Sequence, residues 1–469
     1  MEEASVSVRL NPFKGPIGPE GTPVPWSPYG RILSDRPVFT LDPFFHAGCY
    51  YVQDSSAMFV GHLFRKLLTA LGGSEPLQNF ALRAHPSQPD GWAPPVHETT
   101  GGHGFAGATS ADPLLTACAG AEAATASGNR ATLGSVRGRG PSSDGRGPAQ
   151  PDVSGGRSPR SEGQAVIKVL DLCAAPGGKT TDLAASLREA CGDGFLLVAN
   201  EVMKARVGVL DDNVARWGDP NVVVTSVDPA AFARLEGYFD VIVADVPCSG
   251  EGMFRKDPRA REEWSPELVE LCAARQKRIL ADVWPALREG GFLIYSTCTY
   301  EPAENDDNLA WAAGELGGEI LPPEAEFEAW GVRRTSHGHL LEAGVVPGEG
   351  QWAGVLRKTA SQRICAKPDL EVLHPLRNGL KKGEWKGKDF VPDPDYALSI
   401  KFDRNDYRCV DVDRQTALRF LHRDALALPD TAPGYLAVTY LGQPLGFVKN
   451  IGSRCNNLLP KGRRILMNV

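Results

Sequence analysis

The chain has 469 residues, 42% hydrophobic and 23% charged, with a formal net charge of −7. That length allows two or three domains around a large core, and the acidic balance excludes a whole-surface polyanion binder, leaving nucleic-acid contact to local basic patches. No stretch reaches the roughly 18–20 apolar residues of a membrane span, and the acidic start Met1-Glu2-Glu3 lacks the regions of a secretory signal. Ten cysteines contain no Cys-x-x-Cys pair, which argues against a zinc ribbon or a disulfide scaffold. No metal is expected, and a reducing, cytoplasmic setting is.

In chain order, Val6 to Asn11 alternates like a strand, Pro37 to Thr40 suggests a second, and Ser55 to Leu71 has helical apolar spacing with Asp54 or Ser55 as N-cap. From 74 to 164 Gly, Ala, Ser, Pro and Arg dominate and no period survives. Such a composition cannot bury enough apolar surface to offset ordering entropy, so a disordered insertion is expected. Its Arg-Gly pieces at Arg137 to Gly140 and Arg146 are candidates for weak RNA contact, beside the plainer reading of an inert insert.

Residues 165–360 alternate strand and helix. Strands are expected at Val166 to Leu170, Phe195 to Ala199, Asn221 to Ser226, Phe239 to Ala244 and Phe292 to Tyr295. Helices are expected at Thr180 to Ala190, at Lys204 to Trp217 and after Ser265-Pro266, where Leu268, Leu271, Cys272, Ile279, Leu280 and Val283 form one apolar face. The pattern predicts an α/β fold, a doubly wound and mostly parallel Rossmann-like sheet with ligands at the carboxyl ends of its strands. The tail from 366 to 469 reads as a small β-rich domain with a hairpin from Tyr435 to Tyr440 and Leu445 to Lys449. Before that hairpin, Lys381, Lys382, Lys386 and Lys388 interleave with Trp385 and Phe390. After Tyr440 come Lys449, Arg454, Lys461, Arg463 and Arg464 with no acidic residue, either a phosphate-contacting surface or a solvated one.

The segment Cys173-Ala174-Ala175-Pro176-Gly177-Gly178-Lys179 follows a strand and opens a helix, where bare backbone and helix N–H groups face a ligand. Glu201 ends the next strand at the position that holds ribose hydroxyls in dinucleotide-type folds, and Asp228 and Asp245 end the third and fourth. Each acid alone would be a cap or turn residue; together they give a polar grip on one rim. The loop is neither Gly-x-x-x-x-Gly-Lys-Ser/Thr nor Gly-x-Gly-x-x-Gly, so S-adenosylmethionine fits better than a nucleoside triphosphate or NAD. Two cysteines, Cys248 and Cys298, end two apolar runs about fifty residues apart.

These motifs resemble the Nop/Sun family of RNA cytosine-C5 methyltransferases, through Asp171 to Thr180, Ala199 to Val202, Asp245 to Asp257 and Tyr295 to Tyr300. Ala274 to Lys277 and Asn305-Asp306 sit where that family keeps similar residues. The Tyr50 to Asp54 and Pro444 to Asn450 segments are most similar to bacterial RsmF-type ribosomal RNA methyltransferases. The resemblance implies an N-terminal RNA-recognition segment (1–73), an S-adenosylmethionine-dependent catalytic domain (165–360) and a PUA-like RNA-binding domain (366–469). It implies a cofactor grip of Cys173 to Lys179, Glu201, Asp228 and Asp245. The expected partner is RNA, ribosomal first and transfer RNA as the alternative, with no membrane partner and a monomeric chain.

Carbon 5 of cytosine is a poor nucleophile, and a thiolate added at carbon 6 activates it as an enamine. Asp245 is the candidate to stabilise charge at ring nitrogen 3. The residues alone leave open which thiol attacks, since DNA cytosine methyltransferases use the cysteine of a Pro-Cys pair, which would nominate Cys248. The resembled RNA family implies Cys298 as nucleophile and Cys248 as the group assisting release. Arg255 and Lys256 are candidate phosphate contacts. Tyr50, Tyr51 and Gln53 are candidates for the path of the strand, with core packing of the tyrosines as the alternative. Rival readings are an amino-group methyltransferase, which would carry an Asn/Asp-Pro-Pro-aromatic loop in place of Asp245-Val-Pro-Cys, a thiol redox enzyme, and a catalytically silent RNA-binding assembly factor.

Overall fold

The computed structural model describes residues 5–72, 166–254, 258–359, 370–428 and 431–469. The expected 74–164 insertion and the candidates Arg255 and Lys256 lie outside them. Among the described residues no helix is long and apolar enough to cross a membrane.

The N-terminal part forms an antiparallel sheet in the order β2-β3-β1-β4, from β1 (Val6–Leu10), β2 (Thr22–Pro23), β3 (Gly30–Leu33) and β4 (Tyr50–Val52). The strand expected at Pro37 to Thr40 is instead a 3-10 turn, Phe39–Leu41. Asp42 accepts from the Phe44 N–H at 2.9 Å and caps α1 (Pro43–His46), whose Pro43 fixes a helical start too close behind for a ladder to form. The helix α2 (Phe59–Gly72) follows a turn at Ser56–Met58. Asp54 is its cap, accepting from the Ser56 N–H at 3.2 Å, while Ser55 already has helical dihedrals and donates its hydroxyl to the Pro347 carbonyl at 2.6 Å.

The large sheet is built from β5 (Ile167–Asp171), α3 (Gly178–Cys191), β6 (Phe195–Asn200), α4 (Lys204–Trp217), β7 (Val222–Thr225), β8 (Phe239–Asp245), α5 (Pro258–Glu263), α6 (Pro266–Val283), β9 (Leu287–Thr297) and α7 (Asp306–Leu316). The strands β10 (Gly318–Ile320), β11 (Arg333–Arg334), β12 (Gly338–Leu341) and β13 (Gln351–Lys358) complete it. Its order is β7-β6-β5-β8-β9-β13-β12-β11, parallel from β7 to β9 and antiparallel from β9 to β13, with β10 also paired to β13. The chain runs outward from β5 to β7 and then returns to β8 on the other side. The strand order therefore reverses between β5 and β8, where an α/β sheet opens a ligand crevice at its carboxyl edge.

The central strands are apolar on both faces because both faces are covered. Val169, Leu197, Val241 and Ile294 pack in one core with α3 and with Phe59, Leu63 and Phe64 of α2. Leu170, Val198, Ile242 and Leu293 pack in the other with Ile279, Leu280 and Val283 of α6. The α6 cap is as expected, Ser265 accepting from the Leu268 N–H at 3.2 Å ahead of Pro266. Its buried face is rotated from the expected one: Val269, Cys272, Ala273 and Gln276 face inward, Leu268 is half-buried, and Leu271 is exposed. The reason is polar, since Gln276 turns inward to bond Glu304.

The tail carries a two-stranded ribbon, β14 (Gly383–Lys386) with β15 (Asp389–Pro392), followed by β16 (Arg408–Asp411), α8 (Arg414–His422), β17 (Gly434–Tyr440), β18 (Gln443–Asn450) and β19 (Cys455–Asn457). The last four strands form a sheet in sequence order, and the expected hairpin turns through Leu441 and Gly442, both at positive φ (44° and 76°), as a two-residue turn requires. Leu418, Val438 and Leu445 of this part share one core with Val8, Leu10 and Cys49 of the N-terminal sheet. The basic stretch after Tyr440 is partly consumed internally, with Arg463 bound to Asp212 and Asp395 and Lys449 to Asp389.

Candidate active site

Polar groups gather on the carboxyl edge of the parallel strands. β5 ends in Asp171, wholly buried, with one oxygen accepting from the Thr180 hydroxyl at 2.6 Å and Oδ1 without a partner among the described residues. Burial pushes its carboxyl up to about 7; the Thr180 bond and Lys179 oppose the rise, and Asp245 and Glu201 add to it. The loop from Cys173 to Lys179 then crosses the strand-order reversal. Gly177 caps α3 at φ +111°, a conformation glycine takes without steric cost, and the first N–H groups of the helix are left without intrahelical partners. The Cys173 thiol is raised by burial first and then by Glu201, Asp171 and Asp245, which leaves it protonated and inert.

Beyond β6, Glu201 is buried, accepting from the Met203 N–H at 2.8 Å and lying 3.6 Å from the Arg206 guanidinium. Asp228 lies past the end of β7 in the open, where it caps the 3-10 segment Pro229–Leu235 through the Ala230 N–H at 3.0 Å. Asp245, the last residue of β8, is held from three sides. Lys179 Nζ stands 2.8 Å from one oxygen, while the Ser296 hydroxyl (2.7 Å) and the Gln351 amide (3.1 Å) donate to the other. Burial alone would lower the Lys179 ammonium, but Asp245 outweighs it, with Cys298 and Asp171 adding, and the net shift is upward.

The two thiols, fifty positions apart, meet with Cys248 Sγ 3.2 Å from Cys298 Sγ, both partly exposed. The Cys248 thiol is held well above its ordinary value, first by its hydrogen bond to Cys298 and then by burial, so at neutral pH it keeps its proton. Their two loops are tied at several points. Gly252 N–H donates to the Cys298 carbonyl at 2.8 Å, the Ser249 and Thr299 hydroxyls meet at 3.0 Å, and Glu251 accepts from the Tyr300 N–H at 2.7 Å. A Cβ on Gly252 would stand 2.9 Å from that same carbonyl, so only glycine lets the loops close this far.

Beneath the Cys248 loop lies Glu304, fully buried, accepting from the Ser249 N–H (3.1 Å) and the Gln276 amide (2.7 Å). Gln276 also donates to the Pro247 carbonyl at 2.9 Å. Glu304 therefore positions Cys248 from below. Glu304→Gln would set an amide against two donors, and we expect kcat to fall about 10- to 100-fold through thiol misplacement. Affinity for the ligand of the glycine-loop crevice within about twofold of wild type would accompany that fall, whereas an unchanged kcat would remove this role.

The sequence alone does not single out Glu304 or Gln351, and marks Asp171, Ser296 and Gln276 only as parts of motifs. Glu304 directly precedes the Asn305-Asp306 pair that was noticed; nothing local marks Gln351, which arrives on the antiparallel β13. The candidate strand-path residues sit elsewhere. Tyr50 is buried among Phe39 and Phe45 and donates to Asp42 at 2.8 Å. Tyr51 donates to the Pro176 carbonyl at 3.2 Å, and Gln53 accepts from Arg9, so both brace the glycine loop from behind. Cys272 is buried against the sheet, as its helical position predicted.

Three family models match this chain: 16S rRNA methyltransferase RsmB/F over residues 160–313, the methyltransferase RsmF PUA domain over 407–465, and the N-terminal domain of 16S rRNA methyltransferase RsmF over 1–55. The ribosomal RNA small subunit methyltransferase F of Cronobacter sakazakii is 32% identical over 362 residues, covering 64% of this chain and 74% of that one. The Escherichia coli O7:K1 protein of the same name is 30% identical over 359 residues, again covering 64% and 74%. Among solved structures, that of PH0851 superposes with a TM-score of 0.50 at 17% identity, covering 76% of this chain and 60% of that one, a likeness of fold.

Proposed function

The chain belongs to the family of the small-subunit ribosomal RNA methyltransferases F, and from that premise we propose that it methylates carbon 5 of a cytosine in ribosomal RNA through a covalent cysteine adduct. As a member it is an S-adenosylmethionine-dependent methyltransferase with a Rossmann-like sheet and a PUA domain. The observation that carries the finer reading is the meeting of Cys248 and Cys298 at 3.2 Å beside the Lys179–Asp245 pair.

The crevice fits the methyl donor. A buried carboxylate oxygen without a partner on Asp171 suits a cationic ligand, Gly177 and Gly178 leave the backbone bare, and Glu201 and Asp228 lie at the next two strand ends. Cys173 to Lys179, Glu201, Asp228 and Asp245 would hold it. When bound, S-adenosylmethionine supplies an electrophilic methyl group to the activated carbon 5.

The protein's own residues do the rest. Cys298 releases its proton to solvent and its sulfur bonds carbon 6, moving a ring electron pair toward carbon 5. The Lys179 ammonium, held by Asp245 at 2.8 Å, places a positive charge on the rim where the two thiols meet. Asp245, fixed by Ser296 and Gln351, is the candidate to face ring nitrogen 3 as charge develops there. Once carbon 5 carries the methyl group, its proton passes to solvent as the carbon–sulfur bond breaks, and the Cys248 thiol donates its proton to the departing Cys298 sulfur 3.2 Å away. A Cys248 thiol that keeps its proton, 3.2 Å from Cys298, supports Cys298 as nucleophile and Cys248 as release group. The target base must leave its stack to reach them.

Bisulfite sequencing of ribosomal RNA from cells with and without the gene tests the reading. One or a few cytosines should resist conversion only when the gene is present, and no difference at any cytosine would defeat the cytosine-5 assignment.

A further inference from the structure

The ribbon of β14 and β15 lies between the residues matched by the catalytic and PUA family models, and the chemistry above does not use it. Its sequence from 381 to 392 holds four lysines against two acids, in a chain whose net charge is −7. Trp385 and Phe390 are directly opposite in the ladder and so share a face, their rings edge to face at 5.3 Å. Trp385 is 55% exposed, unusual for so large an apolar side chain. Gly383 lies two positions before Trp385 on that face, and a Cβ there would stand 2.9 Å from the Phe390 ring, so Phe390 lies flat across the strand and buttresses Trp385.

A two-stranded ribbon alone is only marginally stable, yet this one is clamped at its base. On one side Arg377 binds Asp211 of α4 at 2.6 Å and Asp395 at 2.7 Å. On the other, Asp395 also binds Arg463, which reaches Asp212 at 2.9 Å. At the far end Asp389 binds Lys449 of β18. The two acids of the ribbon are neutralised by neighbours, Glu384 by Lys381 (3.4 Å) and Lys386 (2.9 Å), all about half exposed or more. Such exposed pairs cost little to exchange, and Lys388 stands exposed at the turn.

We propose that this ribbon is a second RNA contact, with an unpaired base stacking on Trp385 and phosphates taken by Lys381, Lys386 and Lys388. Base–aromatic stacking over a basic rim is the general mode of single-strand binding, and the clamps mean little ordering remains to be done on binding. The assignment rests on the reading that the chain acts on RNA.

The test is fluorescence-polarisation titration of a labelled single-stranded RNA oligonucleotide with the full chain, without methyl donor, over a series of salt concentrations. Trp385→Ala should raise Kd roughly 5- to 150-fold, and Trp385→Phe should recover most of it. Lys386→Gln with Lys388→Gln should flatten log Kd against log salt by about 0.7 for each lysine. The Kd for S-adenosylmethionine should be unchanged in the ribbon variants, which separates this contact from the catalytic reading. Wild-type affinity and slope in the ribbon variants would overturn the proposal and leave the face to a protein partner. A Trp385→Phe variant as weak as Trp385→Ala would overturn the stacking.

Discussion

Cys298→Ala should abolish methyl transfer to ribosomal RNA and leave no covalent species, whereas Cys248→Ala should accumulate a protein–RNA adduct that survives a denaturing gel. Removing the nucleophile of a covalent mechanism costs on the order of 10⁴- to 10⁶-fold in kcat. The asymmetry follows from the proposed roles. The Cys248 thiol is held protonated by its hydrogen bond to Cys298 and by burial, which leaves Cys298 as the sulfur proposed to attack. Loss of Cys248 spares the attack and removes the group placed for release, so the carbon–sulfur bond forms and persists. Incubation with methyl-labelled donor and RNA, followed by gel autoradiography, gives the answer. An adduct with Cys298→Ala and none with Cys248→Ala would exchange the two roles.

The largest effect expected on stability comes from the join between the N-terminal sheet and the cofactor helix. Asp182 of α3 is buried, with Arg65 Nη1 at 3.0 Å and Arg9 Nε at 3.9 Å. Arg9 is wholly buried, lies over the Trp217 ring at 4.5 Å, and donates to Gln53 (2.9 Å), the Gly178 carbonyl (3.2 Å) and Thr181 (2.5 Å). Burial lowers the pKa of its guanidinium, Asp182 opposes that, and Arg65 reinforces it. Asp182→Asn keeps the shape and removes the charge, which strands two like charges in a buried place. Breaking such a group costs about 3–5 kcal/mol, readable as a lower urea midpoint. Asp193→Asn is the control: its side chain is 68% exposed and should cost no more than about 1 kcal/mol. Equal losses in the two variants would refute the buried-charge account. Because Arg9 holds the first turn of α3, Asp182→Asn should also weaken binding of the methyl donor.

Much of this was legible along the chain. The strands and helices from β5 to β9 follow from apolar runs, glycine turns and the Ser265-Pro266 start, because those signals are local and both sheet faces are covered. Where local signals compete, the reading slipped. Pro37 to Thr40 has strand-like residues but stands against a capped, proline-started helix. The apolar Leu271 yields its inward place to Gln276, whose partner Glu304 is 28 positions away. Tyr51 and Gln53, conspicuous beside a helix start, serve the glycine loop more than a hundred positions further on.

By itself the sequence determined the glycine loop, the acids at successive strand ends and two cysteines at strand ends, because backbone freedom, charge and thiol chemistry belong to single residues. Only the tertiary structure decided that those cysteines meet at 3.2 Å, that Lys179 serves Asp245 beside them, and that Glu304 carries the loop of one of them. The physical reason is that crossing from β8 to β9 through α6 brings together groups that no periodicity relates. A distance between side chains exists only once the sheet has set the register of its strands.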